Sequence, residues 1–145
     1  VTRLLDLGVA PYLVSASLKG VLAQRLVRKI CSNCKTEYDP SPSLKRSVQA
    51  QGGETCKFYR GVGCRKCRNT GYVGRIAIHE LLVPDDEMME MINERVSAKK
   101  LRATALTKGM TPLHFDGIEK VKAGIVSIEE ILCITALDAS AGGES

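Results

Sequence analysis

The sequence predicts an α+β fold in which helices flank a cysteine-rich module. Three features carry that expectation. Apolar residues recur at helical spacing before residue 31 and after residue 84. Two Cys-x-x-Cys pairs, Cys31/Cys34 and Cys64/Cys67, lie between them, 29 residues apart. A β-branched run, Tyr72–Val83, is closed by Pro84 and reads as a strand.

Taken in order, Thr2–Leu7 reads as a short helix stopped by Gly8, and Pro11 sits where a second can begin. Leu13, Val14, Ala16, Leu18, Val21, Leu22, Val27 and Ile30 keep helical spacing up to the first cysteine pair, with Gly20 as a weak point. Residues 32–63 are punctuated by Pro40, Pro42 and Gly52-Gly53, with room for a short helix at Ser43–Gln51. After the strand, Asp85-Asp86 caps a helix through Met88, Met89, Met91 and Ile92, where the methionines serve packing. A further helix spans Ser97–Lys108 with Gly109 as its stop, and another spans Thr111–Ala123 with Gly124. Ser127-Ile-Glu-Glu has the capping-box pattern for a last helix, and Asp138–Ser145 is small and polar enough to fray.

The length, 145 residues with 44% apolar and 26% charged, suits one domain, or one domain with a small satellite, and excludes collagenous, coiled-coil and largely disordered chains. Charge-free stretches such as Gly8–Leu18 are shorter than the roughly 20 apolar residues of a membrane span. No targeting segment is visible, and Val1 reads as a cut inside a longer gene. Residues 1–75 hold 14 Lys and Arg against four acids, a net +10, whereas residues 76–145 hold 7 against 12, a net −5. Such a basic half is a solvated face or a surface for nucleic acid, phosphate or an acidic protein.

The cysteines sharpen this. Two side chains three apart across a tight turn can point at one ion, and two such turns complete a tetrahedral four-sulfur shell. Soft thiolates favour Zn²⁺, with iron as the lesser alternative. Disulfides or a redox Cys-x-x-Cys are the other readings, though a redox site has no need of a second pair. The expected ligands are therefore Cys31, Cys34, Cys64 and Cys67, with Cys56 and Cys133 as ordinary small residues. Four thiolates and Zn²⁺ carry a formal −2, so Lys29, Lys35, Arg65, Lys66 and Arg68 are expected to supply counter-charge and N–H donors to sulfur. That use of the cations, and the scarcity of aromatics (Tyr38, Phe58, Tyr59, Tyr72), argue against nucleic acid as partner.

No recognisable catalytic centre is present. There is no GxxxxGK[ST] loop, and Gly71-Tyr-Val-Gly74-Arg75 has the wrong spacing for one. His79-Glu80 begins like a zincin motif, but position 83 is Val, so His79 reads as a strand residue and His114 as a packed or surface helix residue.

These residues together resemble a known family. Val1-Thr-Arg-Leu-Leu-Asp-Leu-Gly8, Gln24-Arg-Leu-Val-Arg28, Cys31-x-x-Cys34-Lys35, Gly63-Cys-x-x-Cys67-x-x-Thr70-Gly-Tyr-x-Gly-Arg75 and Ile78-His-Glu-Leu are similar to the secretion ATPases of type II secretion and type IV pilus assembly. The resemblance implies a hexameric, cytoplasmic motor, peripheral to the bacterial inner membrane, whose phosphate loop, acidic boxes and histidine box precede Val1. It implies that residues 1–30 are the C-terminal remnant of a RecA-like ATPase core and 31–71 an inserted tetracysteine zinc module. A strand returning to the core then occupies 72–84, a helical C-terminal domain 85–137 and a disordered tail 138–145. The four cysteines match the family's metal ligands. Arg3, Arg75 and Arg25 fall in matching motifs, where a nucleotide or subunit-interface role competes with a structural salt bridge. ATP and Mg²⁺ belong to the full-length parent, and this part is expected to be non-catalytic. Expected partners are the other ring subunits and an inner-membrane platform protein. From other classes, a zinc-ribbon nucleic-acid module and a chaperone-type zinc domain remain as alternatives.

Overall fold

The computed structural model describes residues 1–50 and 56–141. The elements run α1 (Thr2–Asp6), α2 (Pro11–Ser17), β1 (Val21–Ile30), β2 (Lys35–Tyr38), α3 (Pro42–Ala50), β3 (Phe58–Gly61), β4 (Tyr72–Leu82), α4 (Asp86–Asn93), α5 (Ala98–Thr107), α6 (Leu113–Lys122) and α7 (Ile128–Ala141). The mixture of helix and strand is the expected α+β class. β1 pairs with β4, and β2 pairs antiparallel with β3 in a register that sets Lys35 opposite Gly61 and Tyr38 opposite Phe58.

The helix expected to run up to the first cysteine pair does not form. The helix read from Pro11 towards residue 30 stops at Ser17, and Val21–Ile30 is a strand. Its apolar residues imitate helical spacing, yet only Val27 and Ile30 are buried in it. Pairing with β4, a non-local event, decides the conformation of a segment whose own pattern is ambiguous. The short helix expected at Ser43–Gln51 is present as Pro42–Ala50; Gln51 and the Gly52-Gly53 break lie outside the described residues. α7 continues to Ala141, four residues into the segment expected to fray, and 142–145 lie outside the described residues.

The chain divides into two compact units, Val1–Ala23 with Glu80–Pro112, and Gln24–His79 with Leu113–Ser145. The helices of 85–137, expected as one domain, are thus shared between units. The reason lies in their apolar faces. In the first unit Met88, Met91 and Ile92 of α4 and Leu101 and Ala105 of α5 close on Leu5 and Val14. Asp85 caps α4 by accepting the Met88 N–H at 3.0 Å, and Ser97 accepts the Lys100 N–H at 3.4 Å to open α5.

In the second unit Ile118, Val121, Ile128 and Ile131 of the last two helices bury Val27, Phe58 and Ile78 of the strands. A Cβ on Gly117 would stand 2.9 Å from Ile131 Cδ1, so α6 and α7 meet where one of them has no side chain. Glu130, expected to reach back to Ser127 as half of a capping box, instead accepts from the backbone N–H (3.2 Å) and guanidinium of Arg28. The buried Ser127 hydroxyl bonds Tyr72 Oη at 3.0 Å. His79 donates its N–H to Asp116 at 2.8 Å, the neighbour-facing strand role expected of it, and His114 lies in α6 with its ring 4.7 Å from that of Phe115.

Two outcomes follow. Gly117→Val should lower unfolding stability in urea by about 1–3 kcal/mol through overpacking, and combining it with Ile131→Ala should cost less than the two separate losses. Arg28 holds the Glu130 carboxyl below its usual range. Burial pushes Asp116 up, but Lys120 and the His79 N–H outweigh it and hold it below as well. Depressed carboxyls contribute stability that is present above the ordinary value, about 4, and is lost as pH falls through the folded value. The melting-temperature gap between wild type and Glu130→Gln should therefore be steady from neutral pH to about 5 and close below about 4.

Candidate metal centre

The two Cys-x-x-Cys turns occupy equivalent places. One follows β1 and precedes β2; the other follows β3 and precedes β4. Antiparallel pairing of β2 with β3 brings the turns side by side, since Lys35 follows Cys34 and Gly61 precedes the second turn. The Cys31 N–H bonds Gly71 O at 2.9 Å and the Val62 N–H bonds Cys34 O at 3.1 Å, which locks them together. Inside the turns, Cys34 N–H reaches Cys31 O at 3.2 Å, and Asn69 N–H reaches Cys64 O at 2.9 Å.

This arrangement brings all four expected cysteines together. Their Sγ atoms lie within 4.8 Å of one another, with Cys31–Cys64 at 3.8 Å, Cys34–Cys67 at 3.8 Å and Cys64–Cys67 at 3.6 Å. A tetrahedron with metal–sulfur bonds of about 2.3 Å has edges of about 3.8 Å. The four sulfurs therefore fit a tetrahedral ion and could hold one. All six cysteines are free, which removes the disulfide reading here. Cys56 packs half-buried against the second unit's core, Cys133 is exposed on α7, and neither joins the cluster.

The sulfurs sit among N–H donors. Asn33 Nδ2 reaches Cys64 Sγ at 3.3 Å, and the amides of Cys64 and Gly71 reach Cys67 Sγ at 3.1 and 3.3 Å. The Asn33 bond and the Cys67 amide draw the Cys64 thiol down to about 6. At Cys67 burial pulls upward, but the Cys64 and Gly71 amides win and lower it. Cys34, where desolvation dominates, is pushed up to about 12. Lys29, Lys35, Arg65, Lys66 and Arg68, expected as N–H donors to sulfur, do not act so among the described residues. Backbone amides and Asn33 take that role, and Lys35 lies over the Tyr59 ring at 4.2 Å.

Several contributors lacked a local signal. Gly61 and Gly71 touch backbone to backbone: a Cβ on Gly61 would fall 2.0 Å from Gly71 O, and one on Gly71, whose φ is +79°, 2.4 Å from Gly61 O. Thr70 Oγ1 donates to Cys67 O at 2.6 Å and so closes the turn. Arg28 stacks over the Tyr72 ring at 4.3 Å. The arginines singled out in the sequence stand apart from the sulfurs' hydrogen bonds, and all of Arg3, Arg25 and Arg75 are exposed. Arg3 and Arg75 form no ion pair among the described residues.

Gly71→Ala should weaken metal affinity by about tenfold or more, because its methyl forces the two turns apart. Asn33→Ala, which deletes one sulfur contact, should cost less. Chelator competition ranks them, and an unchanged Gly71→Ala affinity would contradict the packing argument.

No helix among the described residues is long and apolar enough to cross a membrane. Residues 1–133 match the family described as Type II/IV secretion system protein. The chain is 45% identical over 137 residues to the type IV pilus assembly ATPase PilB of Thermus thermophilus, covering 93% of this chain and 15% of that protein. It is 44% identical over 140 residues to the type II secretion system ATPase E of Vibrio cholerae, covering 93% and 27%. With the type II secretion system protein HxcR of Pseudomonas aeruginosa it shares 42% identity over 135 residues, covering 93% and 25%. The chain thus spans roughly a seventh to a quarter of the length of these relatives. Matched along nearly its whole length, including both cysteine turns, the chain belongs to the family of type II/IV secretion system proteins.

Proposed function

We propose that the chain is the zinc-bearing C-terminal part of a hexameric traffic ATPase that drives type II protein secretion or type IV pilus assembly, and that its own role is structural. The observation that supports this most is the convergence of four sulfurs at tetrahedral spacing in a chain similar to such ATPases. Cys31, Cys34, Cys64 and Cys67 would hold Zn²⁺, and the ion supplies four cross-links that a small, polar module lacks. β2 and β3 are four residues each, β2 is mostly exposed, and an isolated pair of such strands is marginal in water.

On this reading residues 1–30 and 72–84 are the end of the RecA-like core, and ATP and Mg²⁺ are handled by the rest of the parent. Partners are the neighbouring subunits of the ring and an inner-membrane platform protein, with the motor cytoplasmic and peripheral to that membrane. Exposed Arg3 and Arg75, and Arg25 after them, serve the nucleotide or the subunit interface.

Elemental analysis of freshly purified chain should find one zinc per molecule; a value near zero sinks the reading. Cys64→Ser should raise hydrogen exchange in β2, β3 and both cysteine turns while α4 and α5 keep their protection. Uniform loss of protection would argue against a locally acting metal.

A further inference from the structure

The cations around the second cysteine turn are not used by the metal site. From residue 55 to 79 the chain has six Lys and Arg and no acid. Lys57 pairs with Glu37 at 3.0 Å, and Arg60 lies over the Tyr38 ring at 4.9 Å. Arg65, Lys66 and Arg68 are exposed, donate to no sulfur and form no ion pair among the described residues. They share one rigid turn, held by the bond from Asn69 N–H to Cys64 O at 2.9 Å and by the Gly61–Gly71 contact.

The opposite feature stands on α4. Residues 85–94 carry five acids and no Lys or Arg. Lys108 takes Asp85 and, at 2.6 Å, Glu87. Asp86, Glu90 and Glu94 are exposed, lie one helical turn apart on one face, and have no ion pair among the described residues. Like charges at this spacing oppose the helix, and Glu94 at its C-terminal end also opposes the dipole. The other face of α4 is buried by Met88, Met91 and Ile92, so the stripe faces solvent.

We infer that the Arg65–Lys66–Arg68 turn of one copy docks on the Asp86–Glu90–Glu94 stripe of α4 in a second copy. Three fixed cations meet three acids, each set lacking a partner in its own chain among the described residues. The two surfaces differ, so the contact is head-to-tail, the kind that generates rings when it closes. This rests on the proposed assembly of copies and names the surfaces that meet. Exposed pairs are individually weak and screened by salt, so the contact selects and orients neighbours.

The test uses the whole zinc-loaded chain, with zinc content and circular dichroism recorded on every sample. Sedimentation equilibrium should show self-association at about 20 mM salt that falls steeply by about 0.15 M. Arg65→Glu/Lys66→Glu/Arg68→Glu and Asp86→Lys/Glu90→Lys/Glu94→Lys should each weaken it at least about tenfold, and an equimolar mixture of the two variants should recover association by heterologous pairing, because each presents the charge the other lacks. One chain carrying all six reversals should regain association. Carbodiimide coupling of mixed ¹⁴N and ¹⁵N chains should join Lys66 to Glu90 or its neighbours across copies. No association at low salt, intramolecular coupling alone, or failure of the sixfold reversal to restore binding would overturn the inference. So would binding of the turn to anionic vesicles or nucleic acid with no effect of the α4 variant. A sample with full zinc that fails these tests leaves the metal reading standing, whereas loss of zinc in the wild type removes that reading instead.

Discussion

The paired cysteine turns of the second unit depend on four sulfur atoms meeting at the edge length of a tetrahedron. That requirement constrains backbone far from the sulfurs. The two turns come together only if β2 and β3 pair in the observed register, and only if Gly61 and Gly71 present no side chains to each other. Cys31, Cys34 and Cys67 are buried in a small cluster of their own, while the apolar core of the unit gathers around Ile78, Ile118 and Ile131. On the proposed zinc reading, such a module gains order from metal bonds and N–H···S contacts rather than from an extended apolar core.

A second tie is electrostatic and runs through the first turn of α7. Glu129 accepts from Tyr38 and Glu130 from Arg28, so one acid holds the end of β2 and the other holds β1. Both carboxylates also sit where the helix dipole favours negative charge. The Thr70-Gly-Tyr-x-Gly-Arg75 motif then divides by task. Thr70 closes the cysteine turn, Gly71 permits the close approach, Tyr72 bonds Ser127 and carries Arg28 on its ring, and Arg75 is left facing solvent.

What could be read beforehand was whatever has a local cause. Cysteine spacing announces its geometry because only a turn can aim two thiolates at one point, and Asp85 and Ser97 announce helix starts because a short acceptor must precede the first free N–H groups. Pro84 ended the strand for an equally local reason. Non-local causes left no mark. Val21, Leu22, Val27 and Ile30 read as a helix face, and only β4 makes them a strand. Gly61 gave no sign that another glycine's backbone would occupy the place of its Cβ. The grouping of α4 and α5 with the N-terminal helices, and of α6 and α7 with the strands, depends on which apolar faces fit, whereas the family resemblance implies one helical domain over 85–137. The donors to sulfur have no local mark either: flanking charge points to Lys and Arg, while the turns aim backbone amides and Asn33 at the sulfurs.

The central claim, a single ion in a four-sulfur shell that builds the module, is tested most directly by X-ray absorption at the zinc edge of freshly purified chain. The account predicts four sulfur neighbours at about 2.3 Å and no nitrogen or oxygen in the shell. A shell of mixed ligands, fewer than four sulfurs, or no zinc absorption at all would contradict it.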